Sequence, residues 1–136
     1  MTNSSCPCGA PDYLQCCGRF IENNQNPSTP EELMRSRYSA FARGAINYLR
    51  ATMTGPAAKG FNMVDTLMWL QDVQWLALKV LDTRLKTPLV GFVSFEAHYL
   101  YKGIPQAICE KSEFHKIENK WFYVDGKKRN LTSKLE

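Results

Sequence analysis

The chain has 136 residues, of which 44% are hydrophobic and 12% aromatic, enough for one folded domain with its own core. Its formal net charge is only +4, and so weak a balance does not predict a nucleic-acid binder, since such proteins concentrate basic residues on one face. No apolar stretch approaches the roughly 20 residues of a membrane-spanning helix, which excludes a transmembrane protein. The residues before Cys6 form neither a basic segment nor an apolar run, so we expect no leader peptide and a cytoplasmic protein.

Four of the five cysteines lie close together near the N-terminus, as two short pairs: Cys6 and Cys8, then Cys16 and Cys17. Two such pairs on a turn can surround one tetrahedral metal, and the glycine after each pair permits a tight turn. We therefore predict a structural Zn²⁺ in a knuckle over residues 1–20, with no open position for a catalytic water. Two disulfides or four unrelated thiols are the alternatives, and a reducing compartment disfavours the disulfides.

The polar residues 21–28 contain several turn formers, which predicts a linker between the knuckle and a main domain over 29–136. A helix is predicted over 30–51, because Thr29 can cap it and Pro30 suits its first position. Gly55 and Pro56 are expected to end this helical segment. Apolar residues recur along it at three- and four-residue steps, at Met34, Tyr38, Phe41, Ala45 and Tyr48.

A second, shorter helix is predicted over 63–71, with Asn62 as its cap and with Val64, Leu67 and Met68 facing inward. The rest of the chain is typical of β-structure. Four strands are predicted, over 75–82, 89–101, 106–117 and 120–125, the last two joined by a tight turn at Glu118 and Asn119. Helices followed by an antiparallel meander indicate an α+β fold, with the helices packed on one face of the sheet.

Alternation along the strands identifies polar groups among core residues. In the second strand Val93, Phe95, Ala97 and Tyr99 form the apolar face, opposite Phe92, Ser94, Glu96 and His98. In the third strand Glu110 and Ser112 share a face with Ile108 and Phe114. A buried carboxylate needs a partner, so we predict an ion pair with Arg37, near Ser112 and Tyr38. A structural ion pair is the simpler interpretation, and the polar floor of a ligand pocket is the alternative.

Several segments together resemble the bacterial YchJ family. They are the two cysteine pairs with their glycines, the helix sequence from Leu33 to Phe41, the strand sequence from Gly91 to Phe95, and the sequence from Trp121 to Gly126. The knuckle resembles the SEC-C motif, also known from the tail of the translocation motor SecA, where it contacts protein partners and the ribosome. The resemblance implies that Cys6, Cys8, Cys16 and Cys17 are the metal ligands, although seven residues rather than the usual eight separate the two pairs.

The remainder of the chain resembles a nuclear transport factor two-like domain. This resemblance implies a cone-like, cystatin-like fold in which helices pack on a curved antiparallel sheet. The family has no assigned activity, and its fold serves enzymes and binding modules alike, so the fold does not select a chemistry.

Our first functional hypothesis is an interaction or adapter protein. The metal would fix a small surface formed by Tyr13, Leu14, Arg19 and Phe20, which would dock a protein partner or the ribosome. Packing of Tyr13 and Phe20 against the main domain is the alternative. Direct nucleic-acid binding is a weaker hypothesis, because Arg19 is the single basic residue within residues 1–28.

The second hypothesis is small-molecule binding, or an enzymatic reaction, in the pocket of the cone. The pocket candidates are Arg37, Tyr38, Glu110, Ser112 and Tyr123. Acid–base chemistry would use His98, Glu110, Tyr38 or Tyr123. No nucleophile has an adjacent base in the sequence, and Cys109 is expected on the strand face opposite Glu110, so we assign no catalytic residue and favour a non-enzymatic role.

Overall fold

The computed structural model describes residues 5–128, in which five helices precede four strands. The helices are α1 (Gly18–Ile21), α2 (Pro30–Arg43), α3 (Ile46–Ala51), α4 (Gly55–Lys59) and α5 (Met63–Leu70). The strands are β1 (Val73–Thr87), β2 (Val90–Tyr101), β3 (Ile104–Ile117) and β4 (Lys120–Lys128). The predicted α+β class is confirmed, and every strand except β2 extends beyond its predicted bounds.

The four strands form one antiparallel sheet in the order β1-β2-β3-β4, as a meander should. Two tight turns set its register. Glu118 and Asn119, with φ of 48° and 71°, join β3 to β4, and Lys102 and Gly103, with φ of 50° and 82°, join β2 to β3. Two successive residues with positive φ match the twist of the flanking strands, which explains why such short connections suffice. The predicted hairpin at 118–119 is confirmed.

The single helix predicted over 30–51 is wrong, because α2 ends at Arg43 and Gly44 caps it. This glycine has a φ of 74°, and its N–H bonds the carbonyls of Ala40 and Phe41. A left-handed glycine of this kind is a common helix terminator, and the apolar stripe concealed it by continuing into α3. At the other end Thr29 caps α2 as predicted, with its hydroxyl accepting from the N–H of Glu32 at 3.1 Å.

Two predictions about the next segment need correction. Gly55 and Pro56 begin the short helix α4 rather than simply ending the preceding helical segment, since proline is well tolerated in a first turn. Helix α5 lies where it was predicted and Asn62 caps it, but its apolar residues do not face inward. Val64, Leu67 and Met68 are 65%, 40% and 61% exposed. The helix instead contacts the sheet through Trp69. The centre of its ring lies 5.8 Å from that of Trp75 and 5.5 Å from that of Tyr99.

The core lies between α2 and the sheet face that carries Val93 and Ala97. Residues of the cysteine segment belong to the same hydrophobic cluster as this core. Its buried members are Cys6, Cys8, Tyr13, Cys17, Leu33, Met34, Tyr38, Val93, Ala97, Phe114 and Trp121. The knuckle therefore packs directly on the main fold, and α2 is the element between the cysteines and the sheet.

Candidate metal centre and cavity

The four N-terminal cysteines converge on one point. Their Sγ atoms all lie within 4.8 Å of one another. A tetrahedral zinc with bonds of about 2.3 Å would separate its sulfurs by about 3.8 Å. The Sγ atoms of Cys8 and Cys16 are 3.6 Å apart, and those of Cys16 and Cys17 are 3.9 Å apart. The cluster thus fits a tetrahedral metal. The described cysteines form no disulfide bond with one another, which contradicts the disulfide alternative.

Two glycines make the knuckle compact. Gly9 has a φ of 114°, which other residues rarely adopt, and its N–H donates to the carbonyl of Cys6 at 2.9 Å. The carbonyl of Tyr13 accepts from Cys16 at 3.0 Å and from Gly18 at 2.8 Å. A Cβ at Gly18 would lie 2.8 Å from that carbonyl oxygen, so no side chain fits there. These turns bring the two cysteine pairs together across a loop of seven residues.

The thiols strongly affect one another's protonation. Hydrogen bonding from the Cys17 thiol lowers the pKa of Cys8 to about 4, so one thiolate is present at neutral pH. The same hydrogen bond raises the pKa of Cys17, and burial raises the pKa of Cys16 to about 11. A divalent metal would displace the remaining protons, because cysteine binds metals as the thiolate.

The knuckle is attached to one side of α2. The Sγ of Cys6 lies 3.4 Å from the hydroxyl of Ser39, and Arg35 donates from Nη1 to the carbonyl of Cys8 at 3.3 Å. Arg43, at the end of the same helix, stacks 4.0 Å from the ring centre of Tyr13. These contacts make the cysteine segment a support for α2.

The proposed docking residues are only partly available at the surface. Tyr13 and Phe20 are 3% and 5% exposed, so packing against the main fold, the alternative left open from the sequence, is correct for both. Leu14 is 52% exposed. Arg19 is partly exposed, and its guanidinium stacks on Phe20 at 4.5 Å from the ring centre. Of the four predicted docking residues, only Leu14 and part of Arg19 are therefore accessible at the surface.

An open cavity of about 160 Å³ lies between α2, α5 and the sheet. Its walls are mainly aromatic and aliphatic, and five side chains with polar groups, two of them tyrosines, line it. The lining residues are Met34, Arg37, Tyr38, Phe41, Trp69, Trp75, Phe95, Ala97, Ile108, Glu110, Ser112, Phe114 and Tyr123. All five pocket candidates from the sequence are among them, and their role in binding stays a prediction.

Arg37 is the more deeply buried of the two charged side chains at the cavity, with 6% exposure. Its Nη1 donates to the carbonyl of Leu49 at 2.8 Å and to the hydroxyl of Thr52 at 2.7 Å. Its guanidinium stacks 4.7 Å from the ring centre of Tyr123. Burial lowers the pKa of Arg37 to about 10, which leaves it charged at neutral pH.

The predicted ion pair between Arg37 and Glu110 is wrong. Within residues 5–128 the two side chains do not approach to 4 Å, and Glu110 instead accepts two hydrogen bonds at Oε2. The donors are the Ser112 hydroxyl at 2.6 Å and the Tyr123 hydroxyl at 2.8 Å. Tyr123 therefore links the two charges, with its ring against Arg37 and its hydroxyl on Glu110. The end of α3 supplies Arg37 with acceptors that the strand pattern did not reveal.

Gly126 is a residue that the sequence analysis missed. It pairs with Ser112 across β3 and β4, and a Cβ there would collide with the Glu110 carboxylate and the Tyr123 hydroxyl. Only glycine at this position therefore leaves room for the hydrogen bond between Glu110 and Tyr123. An isolated glycine inside a strand is a usable signal of such close approach.

The remaining acid–base candidate, His98, does not reach the cavity. His98 and His115 project from the opposite face of the sheet, where they contact Glu96 at 3.1 Å and Glu113 at 2.7 Å. Cys109 is buried on that same face, directly across from Glu96, as its strand parity predicted. The chemistry available at the cavity is therefore that of Arg37, Glu110, Ser112 and the two tyrosines. In the described part of the chain no helix has the length and apolar character needed to cross a membrane.

Comparisons with solved structures agree with both parts of this architecture. The solution structure of a SEC-C motif containing protein from Rhodopseudomonas palustris superposes with a TM-score of 0.82 at 29% identity, covering 95% of this chain and 100% of the other. The crystal structure of a SEC-C motif containing protein from Psychrobacter arcticus gives a TM-score of 0.78 at 27% identity, with coverage of 90% and 81%. Our chain thus has the fold of proteins described by this motif.

Sequence comparisons identify the family. A UPF0225 protein of Enterobacter sp. (strain 638) is 35% identical over 123 residues, which are 89% of this chain and 81% of the relative. A UPF0225 protein of Haemophilus influenzae (strain Rd) is 37% identical, covering 89% of this chain and 76% of the relative. Residues 29–126 match the family model described as YchJ, middle NTF2-like domain. The chain therefore belongs to the YchJ family, with an NTF2-like domain behind a SEC-C-type cysteine cluster.

Proposed function

We propose that this protein binds a small organic molecule in the cavity between α2 and the sheet, and that its four clustered cysteines hold a structural Zn²⁺. The observation that carries the proposal is Arg37, a charged side chain with 6% exposure at the floor of an open, aromatic-walled cavity. A mostly apolar cavity with a few convergent polar groups is the usual form of a small-molecule site. The proposal includes no catalytic step.

Burial of an arginine is costly, which argues against a purely incidental position. Removing a charge from water costs several kcal/mol unless partners compensate. Arg37 receives two neutral acceptors and a tyrosine ring, but no carboxylate within 4 Å among the described residues. A purely structural arginine in a core would gain most from a direct ion pair, and Glu110 is instead held aside by Ser112 and Tyr123. This arrangement keeps a positive charge available at the cavity.

The choice of zinc rests on the ligand set. Four thiolates in tetrahedral positions are typical of structural zinc, and they close its coordination sphere. The ion would supply rigidity to the segment that contacts Ser39 and Arg35, and so to the helix that carries Arg37. A reduced cluster of this kind suits a reducing compartment, so we propose a cytoplasmic location.

The cavity is tested by screening the purified, zinc-loaded chain against a library of small organic molecules, with ligand-observed NMR as the readout. Binders should compete with one another, and substitution of the cavity wall by Trp75→Leu should weaken them together. His115→Ala, on the opposite face of the sheet, is the matched control and should leave binding unchanged. A screen in which a folded protein yields no competing binders would contradict the proposal.

Docking of a protein partner or the ribosome through the knuckle is a second candidate, favoured by one observation. Leu14 is 52% exposed on the loop between the two cysteine pairs, where a bound metal would fix its position. Cosedimentation of the chain with purified ribosomes tests this role. Leu14→Ser should abolish cosedimentation, whereas Leu89→Ser, an equally exposed change at the turn between β1 and β2, should not. Equal behaviour of both variants would count against a docking role for Leu14.

A further inference from the structure

We infer that the ligand of the cavity is a small aromatic carboxylate, one ring bearing an anionic group that binds Arg37. This inference rests on the proposed function, since it names the chemical class that the same cavity accepts. Three properties of the cavity lead to it: its size, the nature of its walls and the sign of its available charge.

The size limits the buried part of the ligand to one ring. The cavity volume is about 160 Å³. An engineered apolar cavity of roughly 150 Å³ in another protein accommodates benzene, which sets the scale for a six-membered ring. A fused two-ring system would need more room than the cavity offers, unless part of it remained outside.

The walls favour a flat, unsaturated ring. Trp75 is central, because its ring packs against three other aromatic rings of the wall. The distances between ring centres are 5.4 Å to Tyr38, 6.0 Å to Phe41 and 5.8 Å to Trp69. The Tyr38 and Trp69 contacts are edge-to-face, with interplanar angles of 73° in both cases. Aromatic groups arranged in this way present both faces and edges to a guest, and a further aromatic ring can continue the same pattern of contacts.

The hydrogen-bond donors at the floor require an anion or a strong acceptor. Within the described residues only Nη1 of Arg37 donates to protein groups, to Leu49 and Thr52. The Arg37 side chain lines the cavity, so we assign its other nitrogens, Nε and Nη2, as the donors to the ligand. The planar guanidinium binds a carboxylate through two parallel hydrogen bonds, a geometry that an ammonium cannot offer.

Glu110 modifies this preference without reversing it. Both of its hydrogen bonds fall on Oε2, from Ser112 and Tyr123, so the protein already satisfies part of its charge. The remaining negative charge repels an anionic ligand, since like charges at close range oppose each other. The sign of this effect gives a test that does not depend on knowing the natural ligand, because neutralising Glu110 should strengthen anion binding and weaken cation binding.

The experiment uses the full-length, zinc-loaded chain and three probes of similar shape: benzoate, benzamide and benzylamine. Isothermal titration at neutral pH should show benzoate binding roughly tenfold or more tighter than benzamide, the expected gain from hydrogen bonds to a charged group. Glu110→Gln should tighten benzoate binding further, and Arg37→Lys should weaken it. Arg37 is deeply buried, so Arg37→Lys is interpreted only where circular dichroism shows a folded protein. If Arg37→Lys does not fold, the test rests on the change in benzoate affinity in Glu110→Gln.

The outcomes separate this inference from the proposed function. Preferential binding of benzylamine or benzamide, or weaker benzoate binding in Glu110→Gln, would overturn the assignment of an anionic ligand while leaving a small-molecule site in place. Absence of binding for all three probes and for every library compound, with a folded and zinc-loaded protein, would overturn both. Tight binding of 2-naphthoate relative to benzoate would contradict the one-ring limit.

Discussion

The cysteine cluster and the cavity lie on different sides of α2, and they are built in opposite ways. Arg35 and Ser39 contact the cysteine segment, whereas Arg37 and Phe41, two residues further along the helix in each case, line the cavity. All four cysteines of the cluster come from one short segment. The cavity residues come from α2, α5 and all four strands. A site encoded locally can be recognised from spacing alone, whereas a site assembled from distant segments depends on the whole fold.

The largest expected effect comes from removing metal ligands. The double variant Cys16→Ser with Cys17→Ser should lose the zinc and destabilise the protein by about 3 kcal/mol or more, since metal binding and folding are coupled. Mass spectrometry under native conditions measures the metal, and thermal unfolding measures the stability. Ligand binding in the cavity should weaken as well, because α2 loses its support. Cys109→Ser is the matched control, a buried cysteine outside the cluster.

Retention of one zinc per chain in the double variant would contradict the ligand set. Loss of zinc with unchanged cavity binding would show instead that the two sides of α2 are independent. The second result would contradict the proposed support of the cavity by the cysteine segment, but it would not contradict the ligand set.

A smaller effect is expected from Gly126→Ala, which acts on the cavity side alone. The added methyl group would displace the Glu110 carboxylate or the Tyr123 hydroxyl, and such overpacking typically costs about 1–3 kcal/mol. Chemical denaturation measures the cost, and the zinc content should stay unchanged. Gly60→Ala is the matched control, because the nearest atom to its added carbon would be 3.7 Å away. Equal stability of the two variants would contradict the close packing at Gly126.

These two changes also show how far the sequence reaches. Cysteine spacing predicted that the four cysteines converge, and strand parity placed Glu110 and Ser112 on the inner face, because both signals are local. Parity cannot report which partner a buried side chain chooses. Arg37 bonds Leu49 and Thr52 at the end of α3, which one continuous helix over 30–51 would have held out of its reach. The missed break at Gly44 and the wrong ion pair thus have one common origin.

Tyr123→Phe should cost about 1 kcal/mol, the usual contribution of one hydrogen bond. The variant removes the donor to Glu110 at 2.8 Å while keeping the ring under Arg37. Glu110 would then present a less satisfied charge to the cavity, so benzoate binding should also weaken. Tyr101→Phe, at the end of β2, is a control for the loss of a hydroxyl. A Tyr123→Phe variant with unchanged stability and unchanged benzoate affinity would remove the linking role that we assign to this hydroxyl.

The smallest expected effect concerns two neighbouring residues of α5, and it tests where the cavity ends. Met68 is 61% exposed, so Met68→Ala should change stability by less than about 0.5 kcal/mol and leave ligand binding unaltered. Trp69 forms part of the cavity wall and contacts Trp75 and Tyr99, so Trp69→Ala should weaken binding clearly. Parallel titrations of the two variants with one ligand measure the difference. A strong effect of Met68→Ala on binding would show that Met68 contacts the ligand, as the predicted inward orientation of this residue requires. The cavity would then extend beyond the residues that line it in the structure.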